Sequence, residues 1–132
     1  MSTSDQIIEA TDFDRWITAE FAENGAFTTL VILVDIGETQ VAPLCSTYFH
    51  VVGDDIDWNE IVVMFAGSGA DWDGAAFFPD SSLHDGLLDN PTARLRLRDL
   101  EARLDQDRLV LNEGAFFDKL GRRLKIEEVT PQ

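Results

Sequence analysis

Basic residues are nearly absent from the first two thirds of this chain. Residues 1–93 contain 17 acidic residues and a single basic one, Arg15, whereas residues 94–132 contain nine basic and eight acidic residues. The net charge of the 132-residue chain is −15 at pH 7. A field of this sign repels nucleic acids and anionic membranes and attracts cations and basic protein surfaces. We therefore expect no nucleic-acid or membrane partner, although the acidity is also compatible with a role in solubility alone.

Cysteine is equally scarce. Cys45 is the only one, which excludes an intrachain disulfide and a thiolate-rich metal site. The N-terminus lacks the basic region and apolar run of a secretory signal. The longest apolar stretch, residues 30–34, is far shorter than the ~20 residues of a membrane span. These absences predict a cytoplasmic protein without a cofactor.

Pairs of side chains that would support nucleophilic catalysis or zinc binding are also missing. Cys45 and His50 are five residues apart on one predicted strand, so their side chains should point to opposite faces. No two of Cys45, His50 and His84 have a zinc-ligand spacing. The glycines of residues 67–69 are not followed by the lysine or helix of a phosphate-binding loop. The sequence therefore favours a non-enzymatic protein.

Apolar residues, in contrast, are abundant enough to form a core. They make up 45% of the chain and include nine Phe and three Trp, which is far from the composition of a disordered chain. A chain of this length fits one domain. We predict a flexible N-terminal leader over residues 1–10 and a single domain over residues 11–132.

Two segments carry the signals of helices. Thr11 is a suitable N-cap, and Asn24-Gly25 supplies a stop. Between them, apolar residues recur with helical spacing. These residues are Phe13, Trp16, Ile17 and Phe21. The second predicted helix begins after Asp89 or Asn90, with Pro91 at its first position.

Strand-like segments account for most of the remainder. The predicted strands are 27–34, 40–52, 61–66, 75–78, 109–111, and a hairpin of 115–118 with 122–129. The first is apolar on both faces, which predicts a central strand. Pro43 predicts an edge position or a bulge, and Leu124 and Ile126 should lie on the buried side of the hairpin. The fold class is therefore α+β, a mainly antiparallel sheet of about five to seven strands with two helices in the order α-β-β-β-β-α-β-β-β.

Two tryptophans lie in acidic loops and have two interpretations. Trp58 and Trp72 could fold back to close their loops over the edge of the core. They could instead anchor a partner that offers Arg or Lys, through burial and cation–π contact. The flanking carboxylates in that second interpretation are Asp55, Asp57, Asp71 and Asp73.

The same loops suggest a divalent-cation site as an alternative. Oxygen ligands suited to Ca²⁺ or Mg²⁺ would come from two loops. These ligands are Asp54, Asp55, Asp57, Glu60 and Asp85. The spacing is not that of an EF-hand, because Glu60 replaces the turn glycine and Ala66 the bidentate glutamate. An up-and-down meander of the first four strands would gather Asp35, Glu38, Asp71 and Asp73 at its other end.

Three functions follow from these patterns. The first is an interaction or regulatory module that binds a basic protein surface, or a second copy of itself through the arginine-bearing helix. The second is a divalent-cation-binding domain or small metal-assisted enzyme. The third is a structural subunit of a larger assembly, which would expose an apolar face.

Overall fold

Four strands in a single antiparallel sheet organise the protein. The computed structural model describes residues 10–53, 55–80 and 86–126. Its elements are α1 (Asp12–Asn24), β1 (Phe27–Ile36), β2 (Val41–Val51), α2 (Trp58–Ala66), β3 (Gly74–Asp80), α3 (Asn90–Gln106), a 3-10 helix (Arg108–Glu113) and β4 (Ala115–Asp118). The strand order is β2-β1-β3-β4, and every neighbouring pair is antiparallel. The predicted α+β class with an antiparallel sheet is confirmed.

Strand β1 is buried on both faces, as its apolar run predicts. Phe27, Val31 and Leu33 join the core under α1 and α2, on what we call the first face of the sheet. The alternate residues Leu30, Ile32 and Val34 join the core under α3 and the 3-10 helix, on the second face. Because successive side chains of a strand point to opposite faces, the apolar residues of β1 pack against helices on both sides of the sheet.

Strand β2 forms one edge of the sheet. Its register shifts between Leu33 and Val34, which pair with Cys45 and Pro43, so Leu44 is an extra residue in a bulge. Proline cannot donate to a strand ladder and is therefore tolerated at edges and bulges. The prediction made from Pro43 is confirmed.

Helix α1 begins at the predicted N-cap. The Thr11 hydroxyl accepts a hydrogen bond from the Asp14 amide at 3.0 Å, and the Asp14 carboxylate accepts one from the Thr11 amide at 2.9 Å. Gly25 ends the helix with φ +72°, a value that favours glycine. Helix α3 is capped by the Asp89 carboxylate, which accepts from the Thr92 amide at 2.9 Å. Both predicted helices are confirmed.

The predicted strand over residues 61–66 is wrong, because these residues belong to helix α2. The Asp57 carboxylate accepts a hydrogen bond from the Glu60 amide at 2.9 Å and starts the helix. Trp58, Ile61 and Phe65 then recur with helical spacing, and all three are buried. A short apolar run does not by its periodicity distinguish a strand from a helix.

The predicted strand over residues 109–111 is also wrong. It lies in the 3-10 helix, where the Asp107 carboxylate accepts from the Leu109 amide at 3.0 Å. The described residues therefore form four strands and three α-helices, fewer strands and one more helix than predicted. The up-and-down meander is wrong as well, because β3 pairs with β1.

The C-terminal hairpin is present in a reduced form. Beyond β4, the Leu124 amide donates to the Phe116 carbonyl at 2.8 Å, and Phe117 forms an isolated bridge with Arg123. Leu124 and Ile126 pack against the second-face core, as predicted. Residues 127–129 of the predicted hairpin, and residues 1–9 of the predicted leader, lie outside the described residues.

Candidate interaction site

Trp58 and Trp72 lie in the first-face core. Their side chains are 4% and 6% exposed, and their rings meet edge to face at 6.0 Å. The Trp58 indole nitrogen donates to the Lys119 carbonyl at 2.8 Å, which satisfies its one polar atom. The indoles therefore close their loops over the core and do not form an exposed anchor.

Three of the carboxylates beside the two tryptophans have partners within the fold. Asp57 caps α2, as described above. Asp71 is exposed, with its carboxylate 3.8 Å from the Lys119 ammonium, and the Asp73 carboxylate accepts from the Ile36 amide at 2.8 Å. Asp55 is exposed. These contacts fix loops and helix ends.

Asp35 and Asp73 meet because antiparallel β1 ends where β3 begins. The hydrogen bond that protonated Asp35 donates to the Asp73 carboxylate, together with desolvation and the neighbouring negative charges, raises the pKa of Asp35. Hydrogen bonds from the Ile36 amide and from Asp35 lower the pKa of Asp73. The neighbouring Asp73 carboxylate therefore favours the protonated form of Asp35.

The cation-site alternative gains no geometric support in the part of the chain that the structure describes. Within residues 10–53, 55–80 and 86–126, no group of three or more His, Cys, Asp or Glu side chains could hold a metal ion. Asp54 and Asp85, which belong to the predicted site, lie outside these ranges. Asp55, Asp57 and Glu60 therefore remain a prediction.

Cys45 and His50 point to opposite faces of β2. Cys45 pairs with Leu33 of the first face, and His50 pairs with Thr28 of the second. The Thr28 hydroxyl accepts from the Leu88 amide at 2.9 Å and lies 2.8 Å from His50 Nδ1. The Thr28 hydroxyl therefore connects His50 of β2 to the backbone of Leu88. This histidine orders the strand and has no thiol within reach on its face.

The outer edge of β2 was predicted from Pro43, but sequence reasoning did not consider it as a binding surface. Among the described strands, β2 has β1 on one side and no strand on the other. Residues 45–51 contain no Asp, Glu, Lys, Arg or Pro, the residues that commonly protect such edges from pairing. Leu44, Cys45, Thr47 and His50 are exposed along this edge. Two sequence signals were available, the proline that marks an edge and the uncharged run that follows it.

A groove between α3 and β2 opens beside this edge, and we call it the α3–β2 groove. Its volume is about 270 Å³. Its lining residues are Ile32, Pro43, Leu44, Cys45, Ser46, Glu101, Leu104 and Asp105. The Ser46 hydroxyl donates a hydrogen bond to the Glu101 carboxylate and so joins strand to helix. The groove is apolar at its base and carries two carboxylates.

Arg108 lines a larger groove that also includes residues 36–41. Its guanidinium donates to the Val41 carbonyl at 2.9 Å and to the Leu104 carbonyl, which ties β2 to the end of α3. The larger groove, of about 570 Å³, has an apolar lining that includes Ile36 and Phe116. Its charged lining residues are of both signs: Glu38, Asp107, Arg108 and Lys125.

Two of the four arginines of α3 form ion pairs with acidic residues. Arg96 pairs with Asp80 and Arg103 with Glu113, each at 2.6 Å. Because basic residues number 10 against 25 acidic ones, a surplus of carboxylates must face solvent.

Comparison with family models, curated proteins and solved structures finds no match for this chain. Among the described helices, none combines the length and apolarity needed to cross a membrane.

Proposed function

We propose that the protein is a non-enzymatic interaction module that binds an extended, basic segment of a partner protein along the outer edge of β2. The observation that carries this proposal is the seven-residue edge over residues 45–51, which is uncharged and free of proline and has no neighbouring strand on its outer side among the described residues. Exposed strand edges bind extended segments by adding a strand to the sheet, with main-chain hydrogen bonds supplying affinity.

The surrounding charge supports a basic segment. Glu101 and Asp105 flank the edge from α3, and the whole chain carries −15. Complementary charge steers association and suppresses partners of the wrong sign. A second copy of this chain would carry the same negative charge. Pairing of two β2 edges would bring the α3 carboxylates of both copies close together, where they would repel each other. Charge therefore favours a basic partner over a homodimer.

The test is a pull-down from native lysate with two lysine variants that change charge equally. Thr47 is exposed on β2 opposite Val31, and Thr18 is exposed on α1. Thr47→Lys places a repelling charge on the docking edge, and Thr18→Lys places it elsewhere. The wild type and Thr18→Lys should retain a basic protein that elutes as salt rises, whereas Thr47→Lys should lose it.

Three results would contradict the proposal. Equal capture by both variants would place the partner elsewhere on the surface, and an empty pull-down would remove the protein-partner function. A concentration-dependent dimer seen by light scattering, abolished by Thr47→Lys, would make a second copy the occupant of the edge.

A further inference from the structure

We infer that the α3–β2 groove receives one lysine or arginine side chain of the docked segment. This inference rests on the proposed function for the identity of the segment, and it specifies the chemistry that the edge selects. A side chain next to β2 in an added strand would lie beside Ser46 and Leu44, which line the groove.

The walls of the groove suit an alkyl chain. Ile32 and Leu104 are each 1% exposed and form its base, with Pro43 and Leu44 at the edge. Lysine and arginine bury their methylene stems along apolar surface while the charged head stays at a polar rim. A purely apolar occupant would take water from two carboxylates without replacing their hydrogen bonds, which is unfavourable.

The charged groups of the groove suit a cationic head. Glu101 and Asp105 are one helical turn apart on α3, so both carboxylates lie on the same face. The Ser46 hydroxyl orients Glu101. In the described part of the chain, neither carboxylate forms an ion pair with a basic side chain, whereas Arg96 and Arg103 pair with Asp80 and Glu113 and Arg108 donates to carbonyls. The groove thus holds two negative charges without a cation.

A metal ion fits this groove poorly. Calcium takes six to eight oxygen ligands, and the described residues contain no group of three or more side chains placed to bind a metal. An ammonium or guanidinium group, in contrast, is satisfied by two carboxylates and water.

The first arm of the experiment tests the groove without any strand pairing. n-Butylammonium chloride is titrated into the protein, with n-butanol as the neutral probe, and the amide signals of Leu44, Ser46 and Leu104 are followed by NMR. We expect saturable shifts with butylammonium and affinity for butanol lower by about fivefold or more. The double variant Glu101→Gln, Asp105→Asn should lose the difference. Asp99→Asn, on the same helix outside the groove, should keep it.

The second arm uses nine-residue peptides of alternating Thr and Val that carry lysine, norleucine or glutamate at the centre. The lysine peptide should bind about five- to tenfold more tightly than the norleucine peptide at low salt, and the double variant should abolish that preference. Equal binding of all three peptides would overturn the inference and leave edge docking intact. Butylammonium binding without binding of any peptide would overturn edge docking and support the groove. No response to butylammonium would overturn the inference.

Discussion

At the scale of single residues, tertiary contacts decide the role of Trp58 and Trp72. Both are flanked by carboxylates, which makes their loops resemble exposed surface. Trp58 is nevertheless buried, because its indole nitrogen finds the carbonyl of Lys119, 61 residues away. A hydrogen-bond partner this distant in sequence produces no local sequence pattern. The sequence therefore left two alternatives for Trp58, a buried side chain and an exposed one.

Replacing Trp72 with alanine should lower the free energy of unfolding by about 3–5 kcal/mol, as expected for loss of a large core side chain. Urea denaturation followed by circular dichroism measures this change. Val63, which is 73% exposed on α2, provides the control, and Val63→Ala should alter stability by less than about 0.5 kcal/mol. Equal, small effects of both substitutions would mean that the indole is not in the core.

We predict that the contribution of Asp118 to the free energy of unfolding depends on pH. Partial burial acts to raise its pKa, but hydrogen bonds from the amide and guanidinium of Arg122 and the amide of Leu120 lower it overall. A carboxylate with a depressed pKa stabilises the fold above its unfolded value, and this contribution is lost as pH falls through the folded value. Asp118→Asn should therefore lower stability by about 1–2 kcal/mol at pH 7.

The difference between Asp118→Asn and the wild type should shrink as the pH falls through the lowered pKa of the folded-state Asp118 carboxyl. Urea midpoints at neutral and acidic pH measure it. Asp99→Asn is the matched control, since Asp99 is exposed and makes no side-chain hydrogen bond within the described residues. A difference that is constant with pH would remove Asp118 as a source of the pH dependence.

At the scale of elements, capped helices and strongly patterned strands were predictable, and short apolar segments were not. Helices α1 and α3 carry N-caps, and β1 is apolar on both faces, so local sequence determines them. Helix α2 was mistaken for a strand because its β-branched residues Val62 and Val63 favour strands. The edge position of β2 followed from Pro43. The α3–β2 groove did not, because Ser46 and Glu101 meet across 55 residues.

The capping box of α1 predicts a second stability change. Thr11→Ala removes the acceptor of the Asp14 amide and should lower the free energy of unfolding by about 1 kcal/mol. Thr11→Ser keeps a hydroxyl in the same place and should retain most of the stability that the cap contributes. Thermal unfolding of the three proteins, side by side, measures the change. If serine is as damaging as alanine, the methyl contact rather than the cap stabilises this end of α1.

At the scale of the whole molecule, the net negative charge opposes the compact folded state. A net charge of −15 on 132 residues repels itself in the folded state. The basic residues are concentrated in residues 94–132, and α3 arginines contact acids from elsewhere in the chain, as in Arg96 with Asp80. The surplus of carboxylates that remains is the property from which the proposed basic partner follows.

Screening should therefore stabilise the fold. Raising sodium chloride from about 50 to about 500 mM, which shortens the screening length severalfold, should increase Tm by a few degrees. Potassium chloride at the same ionic strength should give the same shift, since no specific ion is involved. A fall in Tm would show that the ion pairs outweigh the repulsion.

The bulge at Leu44 would limit the length of the segment that the proposed docking edge can bind. Pro43 offers no amide, and the extra residue turns the backbone out of register with a straight neighbour. An added strand would therefore pair only with residues 45–51, between the bulge and the end of β2. This length is about 23 Å at 3.3 Å per residue. Ligand residues beyond that length would form no main-chain hydrogen bonds with β2. The proposed edge would therefore bind a short segment, and lengthening the ligand would not increase the number of paired residues.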